Sequence, residues 1–290
     1  METQIELQGA GCLVQKDSNA HYHAQKHFIG SSGLKLINKK SVYHFFNQPE
    51  QKTTPTLVFG SAYHTLVLEP EQFEQEYYCL NDAEKVAEIG GVNPRATKLY
   101  KEWKAEQEAM NSGKTCLSTD DYQKLMDMRD ALLSNSNIRQ LFSKGTAEVS
   151  HYVDFGRVHV KVRPDYLKPH AIIDLKTCED ASPEGFSRAA ANYGYHLQAA
   201  LYCDVLEYIS EKERLFVFVA QEKEYPYAAA IYKPTEGFMA QGRYEYQLAL
   251  DKYTDAMQTG QHKGYEMFAP AEANGVIELE LPAYAYKEKQ

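Results

Sequence analysis

The sequence predicts an α/β protein in which a mixed central β-sheet is flanked by helices. Three observations carry this expectation. Helical spacing dominates residues 31–145. Three segments with period-two alternation or β-branched enrichment follow at 147–155, 157–167 and 171–177. Helices near 184–192 and 195–209, strands at 214–221 and 227–233 and a long last helix complete the order, and strands interleaved with helices pack as layers around a sheet.

Taken in order, residues 1–28 read as irregular. Ser31 to Asn47 reads as one helix capped by Ser31 or Ser32. A second helix is expected from near Gly60 to Leu68, stopping before Pro70, and residues 81–94 read as a loop. Ala96 to Met110 is helical and ends before Gly113. Ser118-Thr119-Asp120-Asp121 is a strong helix start, and that helix runs to about Leu133. Gly156 suits a hairpin turn between the first two strands. From Thr235 to Thr259 the apolar positions Met239, Tyr246, Leu250, Tyr253 and Met257 recur at helical spacing, and Gly260 suits the C-terminal cap. Without a long Pro, Gly or Ser linker or a repeat, residues 1–290 are expected to form one domain: irregular over 1–30, helical over 31–145, and sheet-containing over 146–290.

Composition narrows the classes of function. Apolar residues make up 43% and charged residues 24%, which is ordinary for a globular protein. No apolar run is long enough for a membrane helix. Met1-Glu2-Thr3-Gln4 lacks the regions of a secretory signal. Five scattered cysteines (Cys12, Cys79, Cys116, Cys178, Cys203) form no CxxC pair, which argues against a zinc ribbon or a disulfide framework and suits a cytoplasmic setting. The net charge of −9 counts against a protein that coats nucleic acid. It counts less against an enzyme, which can gather its cations in one channel.

The chemistry is expected on two strands. Over 157–167, Val158, Val160 and Val162 point one way while His159, Lys161, Arg163 and Asp165 point the other. In Ala171-Ile172-Ile173-Asp174-Leu175-Lys176 two charges interrupt an apolar strand and share a face. Buried charges need a partner or a metal. If the two strands are neighbours, Asp165, Asp174 and Lys176 converge at one edge. Two readings stand side by side: a structural ion pair between Asp174 and Lys176, or a site for phosphodiester hydrolysis. In the second, the carboxylates bind a hard cation through oxygen and the lysine orients or deprotonates the attacking water. The same acidic-x-Lys pattern at Glu50-Gln51-Lys52 and Glu102-Trp103-Lys104 falls in a polar loop and on a helix, and reads as solvated surface.

Further segments bear on the choice: Phe59-Gly60-Ser61-Ala62-Tyr63-His64 on a helix, Glu148 on the first strand, and Tyr195-His196-Leu197-Gln198-Ala199-Ala200-Leu201-Tyr202 on the helix after the lysine strand. With Arg163-Pro164-Asp165 and Asp174-Leu175-Lys176-Thr177 they resemble the RecE-type branch of the PD-(D/E)xK nuclease superfamily, which has a restriction-endonuclease-like core and is related to the RecB nuclease domain and lambda exonuclease. The resemblance runs from about Ser31 to the C-terminus. It implies His64, Asp165, Asp174 and the Leu175 carbonyl as metal ligands, Lys176 acting on the water, Glu148 at the site edge, and Gln198 orienting Lys176 or the DNA backbone. It implies Mg²⁺, with Mn²⁺ as a substitute. Relatives with an iron–sulfur cluster have three cysteines near the C-terminus. No cysteine follows Cys203 here, so no cluster is expected. The family's Ser-Pro pair in the first helix is replaced by Lys40-Ser41-Val42.

Each assignment has a plainer alternative. His64 suits a satisfied core histidine, Glu148 a surface strand residue, Gln198 a hydrogen-bonded cap, and Tyr195 and Tyr202 packing. Tyr195, Gln198 and Tyr202 share one face of their helix, opposite a core-facing stripe of Leu197, Leu201 and Val205. Arg163 and Tyr202 are candidate DNA contacts. Ser31, Ser32 and Lys35 at a helix N-terminus suit a 5′-phosphate, with ordinary capping as the alternative. The histidines of His21-Tyr22-His23-Ala24-Gln25-Lys26-His27 are spaced like ligands but read as solvated. The 22 tyrosines show no ordered stacking row.

The resemblance implies processive 5′→3′ digestion of linear double-stranded DNA that leaves 3′ single strands for recombination. It also implies a homo-oligomeric ring such as a tetramer and a single-strand annealing protein as partner. The rivals are an endonuclease or single-strand exonuclease on the same core, a non-catalytic DNA-binding assembly subunit, and a small-molecule phosphodiesterase.

Overall fold

The computed structural model describes residues 11–49 and 52–282. In chain order the described elements are β1 (Cys12–Lys16), α1 (Asn19–Ala24), α2 (Ser31–Lys39), α3 (Val42–Phe46), α4 (Pro55–Leu68), α5 (Pro70–Glu76), β2 (Tyr77–Cys79), α6 (Ala83–Ile89), α7 (Lys98–Met110), β3 (Thr115–Leu117), α8 (Thr119–Ser134) and α9 (Ser136–Leu141). There follow β4 (Thr146–Ala147), β5 (Val149–Phe155), β6 (Val158–Val162), β7 (Tyr166–Lys168), β8 (Ala171–Cys178), α10 (Pro183–Tyr193), α11 (Tyr195–Ser210), β9 (Leu215–Glu222), β10 (Ala229–Tyr232) and α12 (Glu236–Thr259).

The central sheet has five strands in the order β10-β9-β8-β7-β4. It is mixed: β8 and β9 run parallel, joined by the α10–α11 crossover, and the other pairs are antiparallel. Alternation along β8 splits the core in two. Ile172 packs with α2, α11 and α12, and Ile173 and Leu175 pack with α4 and α8 on the other face. A second, three-stranded antiparallel sheet has the order β1-β5-β6, and β2 and β3 form a small parallel ladder.

Several expectations change at this level. Residues 1–10 and the pair Glu50 and Gln51 lie outside the described residues, but 11–28 are not irregular: β1 pairs with β5, and α1 is capped by Ser18. The helix expected over 31–47 is two helices. The chain leaves helical geometry at Lys40, and the Ser41 hydroxyl accepts from the His44 amide to start α3. Gly30, not a serine, is the cap of α2. Helix α4 begins before Gly60, because Thr54 caps it and Pro55 suits the first turn. The loop expected at 81–94 contains α6, which buries no residue and so leaves no apolar stripe to read. The strand expected over 157–167 ends at Val162. Pro164 has no amide to donate to a ladder, and the chain moves into the central sheet as β7.

Candidate active site

Two crossings between the sheets build the site. The chain leaves the central sheet after β4, passes Glu148 and enters β5. It leaves β6 at Val162, passes Arg163-Pro164-Asp165 and rejoins the central sheet at β7. Glu148 is therefore not a strand residue: it sits between β4 and β5 in the left-handed region at φ 52°. Its amide donates to the Asp165 carbonyl at 3.1 Å, so the two crossings are tied together. β6 and β8 are not neighbours. Asp165 reaches β8 through β7, whose Tyr166 pairs with Ile173, and its Oδ2 accepts from the Leu175 amide at 2.7 Å.

Helix α4 brings His64 to the same place. Its Nδ1 lies 3.6 Å from Asp165 Oδ2, and its ring is hydrogen-bonded to the Leu175 backbone. His64, Glu148 and Asp165 each offer a ligand atom, all within 4.8 Å of one another. Asp174 stands apart from this trio. It is fully enclosed, pairs with Lys176 through Oδ2 and accepts from Gln198 Nε2 at Oδ1, 2.8 Å away. Gln198 thus holds Asp174 rather than Lys176, and its Oε1 accepts from Lys35 Nζ at 3.1 Å.

Burial sets the protonation of these groups. It lowers His64 to about 4, with Lys176 adding to the effect, so the ring is neutral and keeps a lone pair. It raises Glu148 to about 8, helped by Asp165, and it raises Asp165 itself. Burial also lifts Asp174 to about 6 against the opposing pull of Lys176. For Lys176, burial would lower the value, but the Asp174 and Asp165 carboxylates reverse this and hold it above the ordinary lysine range. Lys35 is lowered to about 8 by burial and by Lys176. Two desolvated carboxylates beside a neutral imidazole form a donor set that fits a divalent cation of the Mg²⁺ or Mn²⁺ type, whose charge would offset their mutual repulsion.

The other expected residues scatter around this centre. Arg163 pairs with Glu148 at 3.0 Å, donates to Asn19 Oδ1 at 2.7 Å and lies 4.3 Å from the centroid of the Tyr22 ring. Helix α1, which the sequence did not reveal, therefore walls one side of the site. Tyr202 is buried, with its hydroxyl bonded to the Arg163 backbone and the Ser31 side chain. This is packing against α2 rather than an open DNA contact. Helix α11 is buried on both faces, not on one stripe. Ser31 is buried and Ser32 exposed. The Lys35–Gln198 link joins residues 163 apart in sequence and has no local signal.

The mixed sheet flanked by helices carries a His64–Glu148–Asp165 cluster at the crossings and the Asp174–Lys176 pair within β8, an arrangement that suits a PD-(D/E)xK-type domain. Residues 30–266 match the family described as a PDDEXK-like domain of unknown function (DUF3799), and the chain belongs to that family. Among solved structures, a candidate exonuclease from Eubacterium rectale is similar in fold, with a TM-score of 0.60 and 14% identity, covering 92% of this chain and 96% of that one. No curated protein matches the chain. Among the described residues no helix is long and apolar enough to cross a membrane.

Proposed function

We propose that this protein is a divalent-metal-dependent DNA exonuclease of the RecE type that uses Mg²⁺, with Mn²⁺ as a substitute. The observation that carries the reading is the meeting of His64, Glu148 and Asp165 at one end of the sheet that also presents Asp174 and Lys176. Family membership supports the nuclease class. The preferred substrate is linear double-stranded DNA, digested 5′→3′ to leave a 3′ single strand. A homo-oligomeric ring and a single-strand annealing partner belong to the same reading and rest on the sequence resemblance.

The chain's own residues divide the work of hydrolysis. His64, Glu148 and Asp165 would hold the cation, and Asp174 and the Leu175 carbonyl, which the sequence resemblance adds to the set, would complete it. When bound, the cation supplies Lewis-acid polarisation of the phosphate and a more acidic water. Lys176 keeps its proton beside the carboxylates, so its role is to donate to the attacking water or to a phosphate oxygen as negative charge develops. Water oxygen bonds to phosphorus as the bond to the leaving oxygen breaks; the water gives up one proton to solvent and the leaving oxygen takes one up from solvent, so one water is consumed per bond cut. Gln198 fixes the Asp174 carboxylate from the side away from Lys176.

The test is digestion of 5′-phosphorylated linear duplex with magnesium or with EDTA, beside closed circular DNA and Lys176→Ala. Loss of the linear DNA alone, dependent on magnesium and on Lys176, is the expected result. Cutting of circles would move the function to endonuclease on the same site. DNA binding without cleavage would favour the assembly-subunit reading.

A further inference from the structure

Beside the site lies an aromatic pair that the reaction as described does not use. Tyr193, the last residue of α10, and Tyr195, the first of α11, are separated by Gly194 at φ 63°. That left-handed residue turns the chain so that the two rings stack, with centroids 5.8 Å apart and planes 25° apart. Tyr195 is the inner ring and packs against Phe186 and Phe218. Tyr193 is the outer ring and is 65% exposed. Lys176 Nζ lies 5.2 Å and Lys35 Nζ 5.6 Å from the Tyr195 centroid. The stem of Lys35 lies over Gly194, where an added Cβ would meet Lys35 Cγ at 3.2 Å.

What sets Tyr193 apart from other exposed tyrosines is the fixed ring stacked behind it and the two lysines beside that ring. A ring backed by a second, fixed ring is a rigid platform, and every nucleobase has a face that can stack on it. The adjoining cation fits the phosphate that such a base brings with it. We propose that Tyr193 is a stacking platform for the base of a nucleotide next to the scissile phosphate, and that Lys35 binds that nucleotide's phosphate. This rests on the nuclease reading and adds to it a subsite for an unpaired or frayed base. It gives the enzyme a means of gripping the end of a strand whatever its sequence.

The experiment uses the full chain and fluorescently labelled duplexes with single-stranded overhangs, in calcium to hold off cleavage, with one nucleotide at a time replaced by an abasic residue. For the wild type, one position near the end is expected to weaken binding about tenfold when its base is removed. Tyr193→Ala is expected to bind intact DNA as weakly as the wild type binds that abasic DNA, and to show no further loss on it. Tyr193→Phe should restore the difference. Lys35→Ala should weaken intact and abasic DNA equally and reduce the salt dependence by about one counterion. Thermal melting checks that the variants fold, which the exposure of Tyr193 favours. If Tyr193→Ala and the abasic substitution weaken binding independently, or no position responds to base removal while magnesium-dependent cleavage persists, the platform is overturned and the nuclease reading stands. If the wild type neither binds nor cuts DNA, both fall together.

Discussion

Lys161 and Lys176 are both enclosed strand lysines, one on each of the two larger sheets, and they meet opposite fates. Lys161 donates to the carbonyls of Tyr22 and Gln25 at 2.7 and 2.8 Å and lies 4.8 Å from the centroid of the Tyr22 ring. Neutral carbonyls satisfy its protons without holding its charge, so burial, with repulsion from Arg163, lowers it to about 8. Lys176 has carboxylates as partners and is held above the ordinary range. The difference shows that the partner, not the depth of burial, decides what a buried lysine is for. Lys161 fastens the segment carrying α1 to the smaller sheet, and Lys176 is a fixed cation in a site.

The comparison is broken most forcefully at Lys176. Lys176→Ala is expected to slow DNA cleavage by about 10³-fold, the scale of losing a charge-stabilising donor. It also leaves Asp174 buried without its cation, so that carboxyl should climb further above its present value of about 6. A folded state that binds a proton more tightly than the unfolded one loses stability as pH rises. Melting of the variant should therefore be lower at about pH 8 than at about pH 5, with a steeper fall than in the wild type.

Next in size is Asp165→Asn, which removes a charge from the proposed cation site and leaves Leu175 an acceptor. Calorimetry with Mn²⁺ is expected to show an affinity lower by about a hundredfold, with the fold kept. A smaller effect follows from Glu148, whose carboxyl is raised to about 8. Below that pH the cation must displace a proton, so Mn²⁺ affinity should rise by up to about tenfold per pH unit and level off near that value. The metal-free protein follows the opposite sign: its raised carboxyl contributes stability at low pH that is lost as pH rises toward about 8. A flat affinity over this range would show that Glu148 is not a ligand.

Lys161→Met sharpens the contrast from the other side, with the smallest effect on catalysis. Two carbonyls lose their donor, and urea unfolding should report a loss of about 2–3 kcal/mol. The cleavage rate per folded molecule should stay within about twofold, because the residue acts on folding rather than on a charge in the transition state. A loss of activity as large as that of Lys176→Ala would erase the distinction.

The Asp174–Lys176 pair on β8 was legible because the two charges interrupt an apolar run, a costly pattern that calls for a partner. The mixed sheet and the α12 boundaries were legible because period-two and helical spacings are regular there. Glu148 was misplaced because a left-handed residue other than glycine carries no sequence mark. The strand change at Pro164 and the restart at Ser41 were overlooked because the apolar pattern continues across both. β1 and α1 are held by contacts to Asp154-side backbone, Lys161 and Arg163 that no local window contains. The resemblance placed Gln198 beside Lys176 or the DNA backbone; that its amide meets Asp174 instead depends on how α11 sits over β8.

The two crossings at Glu148 and at Arg163-Pro164-Asp165 also have a mechanical meaning. The β5–β6 hairpin is attached to the central sheet at these points, which the Glu148 amide–Asp165 carbonyl bond and the Arg163–Glu148 ion pair hold together. The Glu148 and Asp165 carboxylates sit at the two points where the hairpin joins the central sheet. An ion gripped by both, as proposed for this site, would act as a rivet through that joint. Loading the site would then slow amide exchange along β5 and β6, well away from the ion, because opening the hairpin would first require breaking the clasp.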